Sequence, residues 1–131
     1  MSEPYVAIQV VMLPRDTNPL GSIFGGVILS YIDQAGAVGA RREVVLAGGK
    51  QPFLVTAAIN RVEFRQPVLV GDVVRFLTRL ARIGTTSITM QVHVEADRDG
   101  QVLQVTDAEV VYVGIDPQSP DRRPVPLLPA G

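Results

Sequence analysis

Residues 25–47 of the chain read GGVILSYIDQAGAVGARREVVLA and form the one convincing helical pattern in the sequence. Apolar residues recur there at helical spacing, and further apolar residues lie on the other faces. A helix that is apolar nearly all round is normally buried on most sides. Asp33 nevertheless stands in its middle, where a carboxylate costs free energy unless it is paired or functional. The stretch therefore predicts a central helix that carries a functional acid.

The segments around this helix predict β-strands. Residues 5–13 precede it, and residues 53–65, 73–83, 87–96 and 102–115 follow it, all rich in β-branched and apolar residues. Short turns between the later strands predict antiparallel neighbours. We therefore expect an α+β fold in residues 1–115, with one curved antiparallel sheet wrapped around one long central helix. Residues 116–131 are rich in proline and predict an extended tail without its own core.

Composition excludes several classes of function. The 131 residues include no cysteine and a single histidine, His93, which excludes thiol nucleophiles, thiolate metal sites and multi-histidine zinc sites. The net charge of −1 argues against a nucleic-acid surface. The N-terminus lacks the basic region of a signal peptide, and no uncharged apolar run is long enough to cross a membrane. We expect a cytoplasmic protein without metal or cofactor that binds neither nucleic acid nor membrane.

Residues 18–36, NPLGSIFGGVILSYIDQAG, resemble the signature of the hotdog-fold acyl-CoA thioesterases, especially the bacterial acyl-CoA hydrolases and the brown-fat-type enzymes. Three later stretches resemble further motifs of that family in the same order: VTAAINRVEFRQPVLVGD (55–72), RIGTTSITMQVHV (82–94) and RRPVPLLP (122–129). Asn60 departs from the family pattern, which often has an aspartate there, and we assign it no catalytic role. The resemblance implies a hotdog fold and hydrolysis of acyl-CoA to free acid and CoA, at an active site shared across a homodimer interface.

The glycine pair at the head of the helix and the acid farther along it are the first candidates for chemistry. Free N–H groups at a helix start suit a developing oxyanion, so Gly26 is a candidate oxyanion donor and Gly25 lets a substrate approach. The alternative is a tight turn that only starts the helix. Asp33 lies seven residues beyond Gly26, about 10 Å along the axis. Reacting atoms must approach to about 3–3.5 Å, so we expect an antiparallel partner helix to bring its own Asp33 to these glycines.

The roles of Asp33 and Asn18 stay open at this point. Asp33 can act as a general base on water or as a nucleophile; otherwise it is a surface acid paired with an arginine such as Arg41 or Arg42. Asn18 can orient the water or donate to the thioester oxygen; otherwise it is a turn residue. The dehydratases that resemble this fold use a histidine near the helix, and none stands near Asp33. We interpret His93 as a solvated or subunit-interface residue.

Candidate contacts to coenzyme A are hydroxyls, a glycine turn and arginines. Hydroxyls and a glycine turn can hold pantetheine amides or phosphate, and guanidinium groups pair with phosphates. The hydroxyl and turn candidates are Thr56, Gly84, Thr85, Thr86 and Ser87, and the arginine candidates are Arg61, Arg65 and Arg82. An ordinary hairpin turn and solvated strand arginines are the alternatives.

The sequence favours an acyl-CoA thioesterase over two rival functions. One rival is a non-catalytic acyl-CoA-binding or regulatory hotdog protein, for which we would expect an additional DNA-binding module. The other is a thioesterase for acyl-carrier-protein or aryl thioesters; the first of these substrates would favour a basic docking patch, and none is obvious. The acyl chain length and head group stay open. We expect a homodimer that assembles further into a tetramer or a hexamer.

Overall fold

A computed structural model describes residues 3–130 of the protein. Along the chain come β1 (Tyr5–Val11), a 3-10 turn (Pro14–Asp16), α1 (Gly25–Leu46), β2 (Leu54–Asn60), β3 (Val73–Ile83), β4 (Ser87–Arg98) and β5 (Gln101–Gly114). The long helix and the antiparallel sheet confirm the predicted α+β architecture. Residues 1, 2 and 131, which belong to the predicted domain and tail, lie outside the described residues.

The five strands form one sheet in the order β1-β3-β4-β5-β2, and every neighbouring pair is antiparallel. The pairs β3–β4 and β4–β5 are joined by short turns, as expected. β2 and β3 are not neighbours, which corrects the expectation that all the later strands pair in sequence. The strand predicted over residues 53–65 ends at Asn60, because Arg61 takes a left-handed φ of 48° and leaves the ladder. Residues 61–72 then cross from the edge strand β2 to β3, which lies on the far side of the sheet next to β1.

Helix α1 packs along one face of the curved sheet. Its buried residues are Ile28, Ile32, Ala35, Gly36, Gly39, Ala40, Glu43 and Val44. Glycine allows close approach at two of these positions, since a Cβ on Gly36 would overlap the Tyr112 hydroxyl and one on Gly39 would overlap Thr78. The outer side of the helix keeps three exposed apolar side chains, those of Val38, Val45 and Leu46. No helix of the described residues is both long and apolar enough to cross a membrane.

The segment of residues 61–72 packs against the first turn of α1. The ring of Phe64 lies next to Gly25, and the N–H of Ile23 donates to the carbonyl of Val68 (2.8 Å). This crossing segment and the loop before the helix therefore form one layer at the head of α1.

The C-terminal segment packs against the opposite end of α1. The Leu127 N–H donates to the Thr85 carbonyl (3.0 Å), the Leu127 carbonyl lies beside Gly49, and the Leu127 side chain is buried against Gly114. The predicted tail thus contributes Leu127 to the core that the helix and sheet form.

Candidate active site

Asp33 lies on α1 where the edge strand β2 passes beside the helix. Its Oδ1 accepts a hydrogen bond from the Thr56 hydroxyl (2.7 Å). Its Oδ2 accepts no hydrogen bond from residues 3–130, and the side chain is half-buried. Arg41 and Arg42, its predicted alternative partners, instead contact Gln51 and Glu43. A carboxylate held by one oxygen and open at the other suits a general base or a nucleophile.

A register shift at the edge of the sheet determines the position of Thr56. The register of β2 against β5 shifts between Thr56 and Ala58, which is a β-bulge. Bulges recur beside active sites, where they redirect a side chain. The predicted CoA contact Thr56 is thus engaged, within the chain, with the carboxylate of Asp33.

Tyr112 is a residue of this site that the sequence analysis missed. Its hydroxyl donates to the backbone carbonyl of Asp33 (2.5 Å), and the residue is 1% exposed. Burial raises the pKa of this phenol, and the charge of Asp33 and hydrogen bonding to Asp33 raise it further, against a smaller opposing effect of the Ala37 N–H. A tyrosine at an inward position of the last strand was the available signal, because a buried hydroxyl requires a partner.

The head of α1 presents free backbone donors. The helix begins at Gly25, and both Gly25 and Gly26 are exposed. No residue in the range 3–130 accepts a hydrogen bond from either N–H, whereas the next two, of Val27 and Ile28, donate to the Phe24 carbonyl. A Cβ on Gly26 would meet nothing within 4 Å. Two exposed residues whose N–H groups have no acceptor in the described chain therefore lie at the positive end of the helix dipole.

Asn18 closes the loop that leads into the helix. Its Oδ1 accepts hydrogen bonds from the N–H groups of Leu20 (2.9 Å) and Ser22 (3.2 Å). Its Nδ2 donates to the Ser22 hydroxyl (2.9 Å), and no described residue accepts its second hydrogen. The Phe24 N–H donates to the Asp16 carbonyl (3.0 Å), which fastens the loop at the helix head. Asn18 therefore has a turn role within the chain and keeps one donor hydrogen for a ligand.

A single chain does not bring the acid to the donors. Asn18, Gly25 and Gly26 lie at the head of α1, and Asp33 lies on the same helix seven residues beyond Gly26. That spacing corresponds to about 10 Å along the axis.

The predicted CoA contacts also divide between the two ends of α1. Arg65 lines a pocket of 260 Å³ together with Gly25, whereas Arg61 lines a depression on the face of the sheet opposite α1. Arg82 and the turn of residues 84–87 lie toward the other end, where the carbonyl of Thr85 accepts its hydrogen bond from the tail. The helix has 22 residues, or roughly 33 Å, so one chain cannot offer both groups to a single phosphate.

A groove of 630 Å³ begins one helical turn beyond Asp33. Ala37 and Arg41 of α1 form one wall, Leu54 and Val55 of β2 form another, and Pro117 of the C-terminal segment lies across from them. The lining is mainly apolar, with Arg41 as one of its charged members.

The opposite face of the sheet carries a separate charged cluster beside a depression of 650 Å³. His93 Nδ1 lies 2.7 Å from Asp107, which also accepts a hydrogen bond from Arg65 (2.8 Å). Burial opposes ionisation of Asp107, but the hydrogen bonds from His93 and Arg65 outweigh it and lower its pKa. The sheet separates His93 from Asp33, since the alternate residues Val92 and Val94 are buried on the helix side. Among residues 3–130, no group of three acidic or histidine side chains could hold a metal ion.

A buried ion pair supports the layer at the head of α1. Asp72 is 2% exposed and accepts two hydrogen bonds from Arg98 (3.0 and 2.8 Å) and one from the Leu69 N–H (2.9 Å). Burial acts to raise the pKa of Asp72, but the bonds from Arg98 and Leu69 outweigh it and the pKa is lowered. Leu69 also bridges to Ser22, so the pair anchors the loop that contains Asn18.

The known proteins that are similar to this chain in sequence or structure are thioesterases. A profile of the thioesterase superfamily matches residues 20–103. The acyl-CoA thioester hydrolase YciA of Salmonella typhimurium is 35% identical over 127 residues, which cover 93% of this chain and 89% of the relative. The hexameric hotdog-fold thioesterase Cj0915 of Campylobacter jejuni has a TM-score of 0.79 at 36% identity, covering 92% and 88% of the two chains. The hexameric thioesterase y2039 of Yersinia pestis has a TM-score of 0.83 at 32% identity and covers 100% of each chain.

The matched region contains the glycine pair at the head of α1, Asp33 farther along the same helix and Thr56 on the edge strand β2. The arrangement of one long helix and five antiparallel strands is the hotdog fold, as the sequence predicted. On sequence and structure together, the chain belongs to the thioesterase superfamily.

Proposed function

We propose that the protein is an acyl-CoA thioester hydrolase whose active sites are each shared between two copies of the chain. Asp33 of one copy faces the head of α1 in the other copy, with its Gly25, Gly26 and Asn18. One observation carries the proposal: Thr56 holds Asp33 by one oxygen, while the other oxygen is free of hydrogen bonds from the described residues. A non-catalytic acyl-CoA-binding protein would have no use for a half-satisfied carboxylate in an apolar helix.

The chemistry needs a base, a water molecule and an oxyanion donor. Oδ2 of Asp33 takes a proton from water while the water oxygen attacks the thioester carbonyl carbon. The negative charge on the carbonyl oxygen is stabilised by the N–H of Gly26 of the partner subunit, at the positive end of its helix. The C–S bond then breaks, and the CoA thiolate leaves and takes up the proton, which gives the free acid and CoA. Direct attack of Asp33 on the carbonyl carbon is the runner-up, because the same free oxygen is available.

Antiparallel pairing of two α1 helices supports the shared site. It removes the separation of about 10 Å between Asp33 and Gly26, because the second helix runs in the opposite direction. It also brings Arg65 at the head of one helix towards Arg82 and the 84–87 turn at the far end of the other, whereas Arg61 lines the opposite face of the sheet and is a weaker candidate. These residues are therefore candidates for the CoA phosphates and pantetheine amides only as a set from two copies. The mainly apolar groove beside Asp33 suits the acyl chain.

A larger assembly fits the surfaces that one chain leaves uncovered. Val38, Val45 and Leu46 are apolar and exposed on α1, and β2 is an edge strand with one side of its backbone unpaired by the described strands. The relatives Cj0915 and y2039 are both hexameric. We favour a homodimer assembled into a hexamer over a tetramer for this reason.

A free-thiol release assay tests the proposed function. The panel contains acyl-CoA substrates of different chain length, aryl-CoA thioesters and an acyl-carrier-protein substrate, with wild type beside Asp33→Asn. We expect acyl-CoA turnover by the wild type and a kcat about 10²- to 10⁴-fold lower in Asp33→Asn, because the base is lost. Asp33→Asn should melt within a few degrees of wild type.

Two results would contradict the proposal in different ways. Absence of turnover on every thioester would remove the hydrolase function. Undiminished turnover in Asp33→Asn would keep the hydrolase and remove Asp33 from its mechanism.

A further inference from the structure

We infer that Tyr112 is a positioning residue for Asp33, whose hydroxyl fixes the helical turn that carries the carboxylate without touching the substrate. The inference rests on the proposed catalytic role of Asp33. Tyr112 belongs to β5 and lies 79 positions beyond Asp33 in the chain, outside the stretch that marks the site in the sequence.

The Tyr112 hydroxyl contacts the main chain of α1. It donates to the backbone carbonyl oxygen of Asp33 at 2.5 Å. The carbonyl belongs to the residue that bears the carboxylate, so this bond sets the position and rotation of that turn relative to the sheet. Oδ2 of Asp33 remains free of hydrogen bonds from the described residues, which leaves it available to accept a proton.

Gly36 makes room for this contact. A Cβ on Gly36 would overlap the Tyr112 hydroxyl oxygen and would lie 3.1 Å from two carbons of the ring. Glycine destabilises a helix interior relative to alanine. The space taken by the Tyr112 hydroxyl gives a physical reason for glycine at this position, three residues after Asp33 on the buried side of the helix.

Tyr112 stands on an inner strand of the sheet, between two ladders. It is paired with Thr56 of β2 on one side and with Ile88 of β4 on the other. Thr56 and Tyr112 are direct neighbours across the ladder, and both bind Asp33. Thr56 binds its carboxylate and Tyr112 binds its main chain. Two adjacent strands therefore fix the acid at two points.

The surroundings of Tyr112 keep it a hydrogen-bond donor and keep substrate away from it. The residue is 1% exposed, so a bound thioester cannot reach the hydroxyl. Burial, followed by the charge of Asp33, raises the pKa of the phenol, which keeps it protonated at neutral pH. Tyr112 can thus affect the reaction only through the placement of Asp33. Its loss should lower turnover and leave substrate affinity nearly unchanged.

Steady-state kinetics of Tyr112→Phe test the inference, with Tyr31→Phe as the matched control. Tyr31 lies on the same helix two residues before Asp33, its ring packs against Phe76, and no described residue bonds its hydroxyl. We expect Tyr112→Phe to lower kcat about tenfold with KM within about twofold, since misplaced catalytic groups cost turnover. Tyr31→Phe should change neither value by more than about twofold. Equal kcat in Tyr112→Phe and wild type would overturn the inference.

The same substitution in the Asp33→Asn background separates the inference from the proposed function. If Tyr112 acts through Asp33, Tyr112→Phe will not lower the residual rate of Asp33→Asn further. A further tenfold loss in that background would overturn the positioning role. If Asp33→Asn alone leaves turnover unchanged, the proposed function of Asp33 fails, whatever Tyr112 does.

Amide hydrogen exchange supplies a readout that needs no substrate. Without its anchor to β5, the turn between Asp33 and Ala37 should open more often, so the Ala37 N–H should exchange about tenfold faster in Tyr112→Phe. Tyr31→Phe should exchange like wild type at the same amide. Unchanged exchange in Tyr112→Phe would show that the hydroxyl does not hold this turn.

Discussion

Two carboxylates of this protein differ in role because they differ in their hydrogen-bond partners. Asp72 is buried and fully engaged, with hydrogen bonds from Arg98 and from the Leu69 N–H. Asp33 is held at one oxygen only, by Thr56. A carboxylate with all its partners stabilises the fold, whereas one with an open lone pair can accept a proton or attack a carbon. The same residue type therefore supports the fold at one position and suits the reaction at the other.

Thr56→Val should lower turnover because Asp33 loses its only side-chain donor among the described residues. A hydrogen bond to a charged group contributes about 1.5–3 kcal/mol, so we expect a kcat about ten- to a hundredfold lower in free-thiol release. Thr56→Ser keeps the hydroxyl and should stay within about threefold of wild type. Equal losses in the valine and serine variants would show that the hydroxyl alone does not account for the role of Thr56.

Gly26→Pro should remove the oxyanion donor while keeping the helix. Proline is tolerated in the first helical turn, and the N–H of Gly26 has no acceptor among residues 3–130. We expect a kcat about 10²- to 10³-fold lower, as for loss of one oxyanion-hole donor. Gly26→Ala keeps the N–H, and its Cβ has open space in the chain, so it should lose far less. A proline variant as active as the alanine variant would exclude this N–H from the reaction.

At the scale of elements, the buried pair of Asp72 and Arg98 ties the crossing segment to β4. Asp72→Asn should lower the free energy of unfolding by about 2 kcal/mol at neutral pH. The control Asp97→Asn, which removes a more exposed partner 3.8 Å from Arg75, should change it by less than about 0.5 kcal/mol. Denaturant unfolding of the three proteins measures both differences.

The difference in unfolding free energy between wild type and Asp72→Asn should depend on pH, because the pKa of Asp72 is lowered in the folded protein. The folded-state pKa lies below the ordinary value of 3.8, so the stabilisation is fully present above that value. It is lost as the pH falls from about 3.8 through the folded-state pKa. The gap between wild type and Asp72→Asn should therefore be constant near neutral pH and close in acid. A gap that widens in acid would contradict the assignment.

Local sequence patterns predicted the helix and the strands. The features that the sequence did not predict depend on contacts between residues that are distant in the chain. The helix begins at Gly25 as predicted and ends at Leu46, because the glycines that follow stop it. The predicted end of β2 was wrong because nothing in the sequence indicates a left-handed φ at Arg61. The sheet order was partly wrong because residues 61–72 are long enough to cross the domain. Within the site, Asp33 and Gly26 stand in one stretch, but Tyr112 reaches Asp33 only in the folded chain.

For the whole molecule, the shared site predicts that two inactive variants restore each other. Asp33→Asn and Gly26→Pro would each be nearly inactive alone. In a mixed dimer, one site combines both substitutions, and the other combines the intact Asp33 with the intact Gly26. Random exchange of the two variants at equal amounts should restore about a quarter of wild-type turnover, since half the dimers are mixed and each has one intact site.

The control for this experiment is the same mixture before subunit exchange. Activity that does not rise after exchange would show that Asp33 and Gly26 act within one chain, which would contradict the shared site.

The burial of Leu127 has a consequence for how the protein is made. This side chain lies against Gly114 at the end of β5, and Leu127 follows every helix and strand of the described fold in the sequence. A residue can pack only after it has been synthesised and has left the ribosome. The core therefore cannot close until residue 127 has emerged, although domains commonly begin to fold from the N-terminal side. Until then, partly folded chains leave the end of β5 around Gly114 uncovered, where chaperones can bind.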